Sequence, residues 1–336
     1  MNPLKIFTVL FLVISIKLKA QEYKFVLPQN SAMQFNPALI GGDTLSQAGL
    51  AYKTESVGWY KGTGINGYFN TYLTKTNGYL GVSFLSGVTD YSSPSFPTIK
   101  TRLFSLYYGQ DLKLSESALI RIGVQLSRYH RFLSNQIQYG DMIDPERGFI
   151  YSSLDRLKPN GAVGFNYNSG ISLYLKRFIF SAAVYNLNRP NVSLIEGEYL
   201  LDRKLSTSLS YEFQAVMGKN QLLFQPILGF STEPLNKAAY YQISRIYTAG
   251  ANIKFSHFIL GGQLDRIKSI QTSKKSIWLG YQGRRIGVYG SRSEQTNRYR
   301  FDGALQTGVS YEVAMNYKFW PQRSNDRFVK TYGVYF

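Results

Sequence analysis

The side chains that could carry chemistry are few. Histidine appears only at His130 and His257, and cysteine is absent. No disulfide framework, thiolate nucleophile or multi-histidine metal site can be built from that inventory. A lipase-like hydrolase would need a serine activated by a histidine. Ser256 precedes His257, but neighbours on a strand face opposite ways. Phe255 and Ile259 hold the same-face positions, so the serine would have to come from another strand. His130 borders a loop between Arg128 and Arg131, where a surface role is ordinary. Asp141, Asp144 and Glu146 cluster in that loop. A hard cation needs several oxygen ligands, yet the spacing is not an EF-hand's, and a solvated acidic loop offsetting Arg128, Arg131 and Arg147 accounts for it better. Gly62-Thr63-Gly64-Ile65-Asn66-Gly67 has the G-x-G-x-x-G form, which holds a dinucleotide only where a strand gives way to a helix. Here Tyr68, Asn70 and Tyr72 alternate with Phe69, Thr71 and Leu73, which reads as strand. We assign no catalytic residue, no cofactor site and no metal ligand, and expect a protein that is not an enzyme.

The elements around these residues are strands. In residues 308–319, Val309, Tyr311, Val313, Met315, Tyr317 and Phe319 alternate with Gly308, Ser310, Glu312, Ala314, Asn316 and Lys318. That period of two marks a long strand with one oily and one wet face. In residues 118–128, Ile120, Ile122, Val124 and Leu126 alternate with Arg121, Gly123, Gln125 and Ser127. Arginine is tolerated on a wet lumen face and costs about 2–4 kcal/mol facing lipid at mid-bilayer. Further strands are expected at 45–54, 64–74, 77–88, 102–112, 162–176, 178–187, 204–216, 221–232, 247–256, 257–264, 276–282, 285–292 and 304–319. Turns are expected at Lys75-Thr76-Asn77-Gly78, Ser115-Glu116-Ser117 and Lys219-Asn220, and a bulge or an irregular site at Pro226. Residues 130–158 lack alternation and read as the longest loop.

Charged residues are 17% of the chain, below the roughly 25% usual for soluble domains. Aromatics are 15%, with 27 tyrosines, a residue suited to a membrane–water boundary. The formal net charge is +18, but the basic residues are dispersed and form no nucleic-acid motif. Lys5 and the short apolar run 6–16 before Ala20 read as an export signal. No later run is long enough for a helical span. The expectation is an all-β, single-domain transmembrane outer-membrane β-barrel of about 14 antiparallel strands. Its parts are a signal peptide (1–20), a periplasmic or plug-like lead-in (21–43), the barrel (44–319), and a tail or final strand (320–336). If residues 327–336 are a strand, the count shifts; if not, Phe319 closes the barrel. Inward Arg121, Lys254 and Lys318 would suit an anion-preferring porin or solute transporter, unless glutamates such as Glu312 or a filling segment neutralise them.

Phe35-Asn36-Pro37-Ala38 with Gly41 resembles the N-terminal signature of the PorP/SprF family, outer-membrane proteins of the type IX secretion and gliding system of Bacteroidetes. Asn160–Gly164 is similar to the start of that family's central strand, and residues 181–190, ending Asn186-Leu187-Asn188-Arg189-Pro190, to a strand ending in Asn-Leu and a proline. Residues 308–313 resemble the segment before its last strand. Trp59-Tyr60-Lys61-Gly62 only partly echoes a Trp-x-Gly-Phe-Pro-Gly segment. The resemblance implies a non-enzymatic role in the outer-membrane lipid, working with the periplasmic ring of the secretion machine and with a secreted adhesin or cargo; the dispersed basic residues give the expectation of no nucleic-acid partner.

Overall fold

The computed structural model describes residues 25–41, 45–57, 60–91, 98–133, 143–144, 148–149, 158–217, 220–234, 243–267, 272–298 and 305–321. The expected signal segment, Asp141, Glu146 and residues 327–336 lie outside these. The strands in chain order are β1 (Leu45–Val57), β2 (Tyr60–Leu73), β3 (Gly78–Tyr91), β4 (Ile99–Ser115), β5 (Ala118–Leu133), β6 (Ile143–Asp144), β7 (Gly148–Phe149), β8 (Ala162–Leu175), β9 (Phe178–Tyr185), β10 (Lys204–Tyr211), β11 (Phe213–Met217), β12 (Asn220–Pro234), β13 (Ile243–Phe255), β14 (Phe258–Ile267), β15 (Thr272–Gln282), β16 (Ile286–Arg298) and β17 (Leu305–Pro321). β6 and β7 pair only with each other; the rest form one antiparallel sheet. β17 pairs with both β16 and β1, closing the sheet. β10 and β11 are two lengths of one strand interrupted at Glu212, so the wall has 14 strands. The expected all-β barrel is what forms.

The interruption has a local cause. β11 pairs Phe213 with Phe224, and β10 pairs Ser210 with Ile227, in one unbroken register. The unpaired stretch lies opposite Gln225 and Pro226. Proline brings no N–H to the ladder, so the irregularity expected at Pro226 is a break in its neighbour, without a bulge. β17 closes on β1 through Leu45 and Pro321, beyond Phe319.

The barrel is apolar outside and polar within. Tyr311, Val313 and Met315 are 52%, 59% and 53% exposed, while Ser310, Glu312, Ala314 and Asn316 between them are buried. The same holds for exposed Ile122, Val124 and Leu126 against buried Arg121, Gln125 and Ser127. Exposed apolar surface on this scale fits hydrocarbon, and apart from the break beside Pro226 the closed ladder pairs the strand backbones.

The two ends differ. Turns 74–77, 116–117, 176–177, 256–257 and 283–285 at one end are short, only two residues separate β11 from β12 there, and β1 starts and β17 finishes at the same end. The other end carries the longer connections 92–98, 134–161, 186–203 and 235–242. Short turns are periplasmic in such barrels and long loops external. The loop expected from residue 130 starts later, because β5 continues to Leu133.

Candidate functional site

The lumen is occupied by the chain's own N-terminal segment. Phe25–Leu27 are buried among Ala51, Leu85, Ile259, Trp278, Tyr289 and Ala314 from one side of the wall. Helix α1 (Pro28–Phe35) follows, with Pro28 at its start, where the missing N–H costs nothing. Asn36 is extended and begins a short 3₁₀ turn, Pro37–Leu39, its Oδ1 accepting from the Ala38 N–H at 2.8 Å. Met33 and Ile40 meet Tyr68, Tyr72, Tyr79 and Tyr107. Leu39 meets Leu119, Tyr174 and Ile179. One segment therefore touches opposite walls of the bore.

Polar anchors fix it at three points. Near the start, the Glu312 carboxylate accepts from Val26 N–H at 2.6 Å and Leu27 N–H at 3.2 Å. In the middle, Asn36 Nδ2 donates to Ile171 O (3.2 Å) and Ala182 O (3.1 Å), and Tyr185 Oη donates to Phe35 O. At the end, Arg121 donates to Ile40 O at 2.9 Å and Gly41 O at 3.4 Å. The same guanidinium is bidentate to Asp111, at 2.5 and 3.0 Å, and donates to Tyr79 Oη at 3.0 Å. It also lies 4.1 Å from the Tyr79 ring centroid. Charge-assisted, bidentate bonds of this kind are the strong ones.

The wall is cut back to admit the segment. A Cβ on Gly170 would collide with Asn36 Oδ1, and one on Gly123 with Pro37 C and Ala38 N. Phe35, Asn36, Pro37, Ala38 and Gly41 are thus brought together in the lumen, with Gly41 at φ +64 beside Tyr79.

Asn186, Leu187, Asn188, Arg189 and Pro190 lie elsewhere, where β9 leaves the wall toward the outer end. Asn186 adopts φ 57. Its Oδ1 accepts from Asn166, its N–H donates to Asn168 Oδ1, and its Nδ2 donates to Asp202 O. Asn188 substitutes for strand backbone against β8: its Oδ1 accepts from Tyr167 N–H at 3.1 Å and its Nδ2 donates to Phe165 O at 2.8 Å. Arg189 pairs with Asp202 at 2.8 Å. Beyond Pro190 the loop packs onto the inward side chains of β5 and β8, where Val192 joins Tyr129 and Ala162, flanked by Leu194, Tyr199 and Leu201. Alternation gave no hint of this packing. The one available signal was its density of turn-forming asparagine and proline.

The remaining candidates resolve simply. Ser256 and His257 form the β13–β14 turn, not strand, so alternation does not separate them: Ser256 Oγ is 3.0 Å from His257 Nδ1. Ser256 at φ 54 makes that tight reversal. His257 stacks on Tyr281 and is exposed, and no carboxylate among the described residues binds its ring. His130 meets Asn160 O at 3.1 Å, exposed. Gly62 to Gly67 lie inside β2, paired on both sides, with no helix following. No metal-binding cluster occurs among the described residues. Arg121 is neutralised by Asp111 rather than by Glu312, which holds the plug instead.

A closed barrel with a lipid-compatible exterior and a plugged polar lumen is an outer-membrane β-barrel protein. Solved structures of outer-membrane channels share the fold. The CymD monoaromatic hydrocarbon channel aligns at a TM-score of 0.55 with 11% identity, over 86% of this chain and 93% of that one. The P. putida toluene transporter TodX aligns at 0.51 with 12% identity, over 90% and 96%. No curated protein sequence matches. The family model for the type IX secretion system membrane protein PorP/SprF matches residues 23–320, and the chain belongs to that family.

Proposed function

We propose that this protein is a non-enzymatic outer-membrane component of type IX secretion, working by docking rather than by passage through its own bore. The short turns face the periplasmic secretion machinery, and the longer outer connections face a secreted or surface-anchored partner. The family match over residues 23–320 carries the reading. The plug supports it: residues anchored to both walls of the lumen suit a scaffold better than an anion-preferring porin. The test is affinity purification of the tagged protein from detergent-solubilised outer membranes, followed by mass spectrometry. Recovery of ring or translocon components, or of one large secreted protein, is the expected result; a barrel that purifies alone would overturn it.

A further inference from the structure

We infer that the short-turn rim is a docking surface for an acidic protein face. This rests on the docking reading above and adds the partner's chemistry. The topology gathers Lys75, Lys113, Lys176, Arg177, Arg284 and Arg285 at that end, all exposed. Lys254 and Lys318 stand just inside it, on the lumen-facing positions of β13 and β17. Against these, the acidic residues described at this end are Glu116 and Glu212, since Asp111 is committed to Arg121. Lys75, Lys176, Arg177 and Arg284 have no ion-pair partner among the described residues.

The rim is held in shape. Backbone bonds join neighbouring turns: Lys176 N–H to Ser117 O at 2.9 Å, Glu212 N–H to Arg177 O at 3.0 Å, and Lys318 N–H to Arg285 O at 2.7 Å. A fixed ring of like charge focuses an attractive field for an opposite surface.

Anionic lipid headgroups are the competing occupant, and the geometry disfavours them. At the same strand ends the outward positions are Leu114, Leu175, Phe178, Phe258, Tyr281 and Ile286, all exposed and apolar or aromatic. Lys113, Arg177, Lys254, Arg285 and Lys318 fall on the opposite alternation, with the buried lumen-facing residues of their strands. These five cations therefore line the mouth, where a partner approaches along the barrel axis, rather than the lipid-facing perimeter, and Lys75, Lys176 and Arg284 stand in the turns at the same end.

The test uses the full-length barrel in nanodiscs of zwitterionic phosphatidylcholine, titrated with a labelled decaglutamate peptide. The comparison is the variant Lys75→Glu, Lys176→Glu, Arg177→Glu, Arg284→Glu, whose folding is checked by heat-dependent gel mobility. The native barrel is expected to bind, and the variant to lose affinity by about tenfold or more, with binding falling as salt rises. Equal binding by both, or none by the native protein, overturns the inference. A variant that differs only in the phosphatidylglycerol it retains through purification also overturns it, and makes the rim a lipid contact. Should the native protein bind decaglutamate but purify from membranes without secretion components, the docking reading fails while the rim's preference stands. Should the variant still bring down those components as well as the native protein, docking stands and the rim is not its basis.

Discussion

Arg121 does two jobs with one guanidinium. It satisfies the Asp111 carboxylate and holds the carbonyls of Ile40 and Gly41. Both charges are nearly inaccessible, with side-chain exposures of 4% and 8%. Removing one member of such a pair leaves the other charge uncompensated, at about 3–5 kcal/mol. Arg121→Ala is expected to lower the barrel's stability by about that amount, read as an earlier urea midpoint by tryptophan fluorescence; an unshifted midpoint would mean the pair carries no net weight. Gly123 tests the same site through shape. Gly123→Val places side-chain atoms where Pro37 and Ala38 run, so the plug should unseat. The absence of native cysteine makes this easy to follow: Ala38→Cys should react slowly with maleimide alone and quickly beside Gly123→Val. Identical labelling rates would show that the plug does not need the gap.

The strands were largely legible in advance, because one oily and one wet face impose a period of two in which Arg121 and Glu312 take wet positions. Bounds were the weak point. β5 and β16 run past the expected ends at residues 128 and 292: residues 293–298 of β16 are polar at every position, and residues 129–133 of β5 mix polar and apolar side chains on both faces, so the alternation fades in each. The Ser256–His257 turn was misread as strand for a related reason: two residues leave no room for a turn signature when neither is Gly, Pro or Asn. The anchoring of residues 25–41 was not legible, since it depends on wall residues far away in sequence, such as Glu312 and Asn36's partners Ile171 and Ala182. The resemblance marked residues 35–41 and 186–190 without showing what they touch. At this scale the Asn188 side chain is the sharpest test. It stands in for a strand where β9 has left the wall, so Asn188→Ala should expose Tyr167 N–H and Phe165 C=O as unpaired groups, at about 1–3 kcal/mol each where no water replaces the bond. Faster amide exchange at Tyr167, with β1 and β17 unchanged, is the expected outcome; uniform protection would mean the ladder does not need that amide.

For the molecule as a whole, the division of surfaces follows from what each must face. Aromatic residues crowd the outer perimeter near the short turns, with Phe178 against Tyr211 at 4.4 Å, Tyr211 against Phe213 at 4.5 Å, and Tyr317 against Phe319 at 5.0 Å between ring centroids. Such girdles sit at the membrane–water boundary. Inside, residues 25–41 cross the bore from one wall to the other. Planar-bilayer recordings should therefore find the native protein silent and a variant lacking residues 25–41 conducting in discrete steps. Steady conductance through the native barrel would favour the porin alternative over a scaffold.

The plug also has a mechanical meaning. It is gripped by β17 near Phe25–Leu27 and by β4, β5, β8 and β9 near Asn36–Gly41, so it crosses the bore as a strut. A wide sheet of strands closed on itself can flatten into an ellipse under load, but a strut tied at both ends resists that. A partner pulling on the outer loops would then meet a rigid ring, and force applied at the cell surface would pass to the periplasmic turns instead of being lost in deformation of the wall.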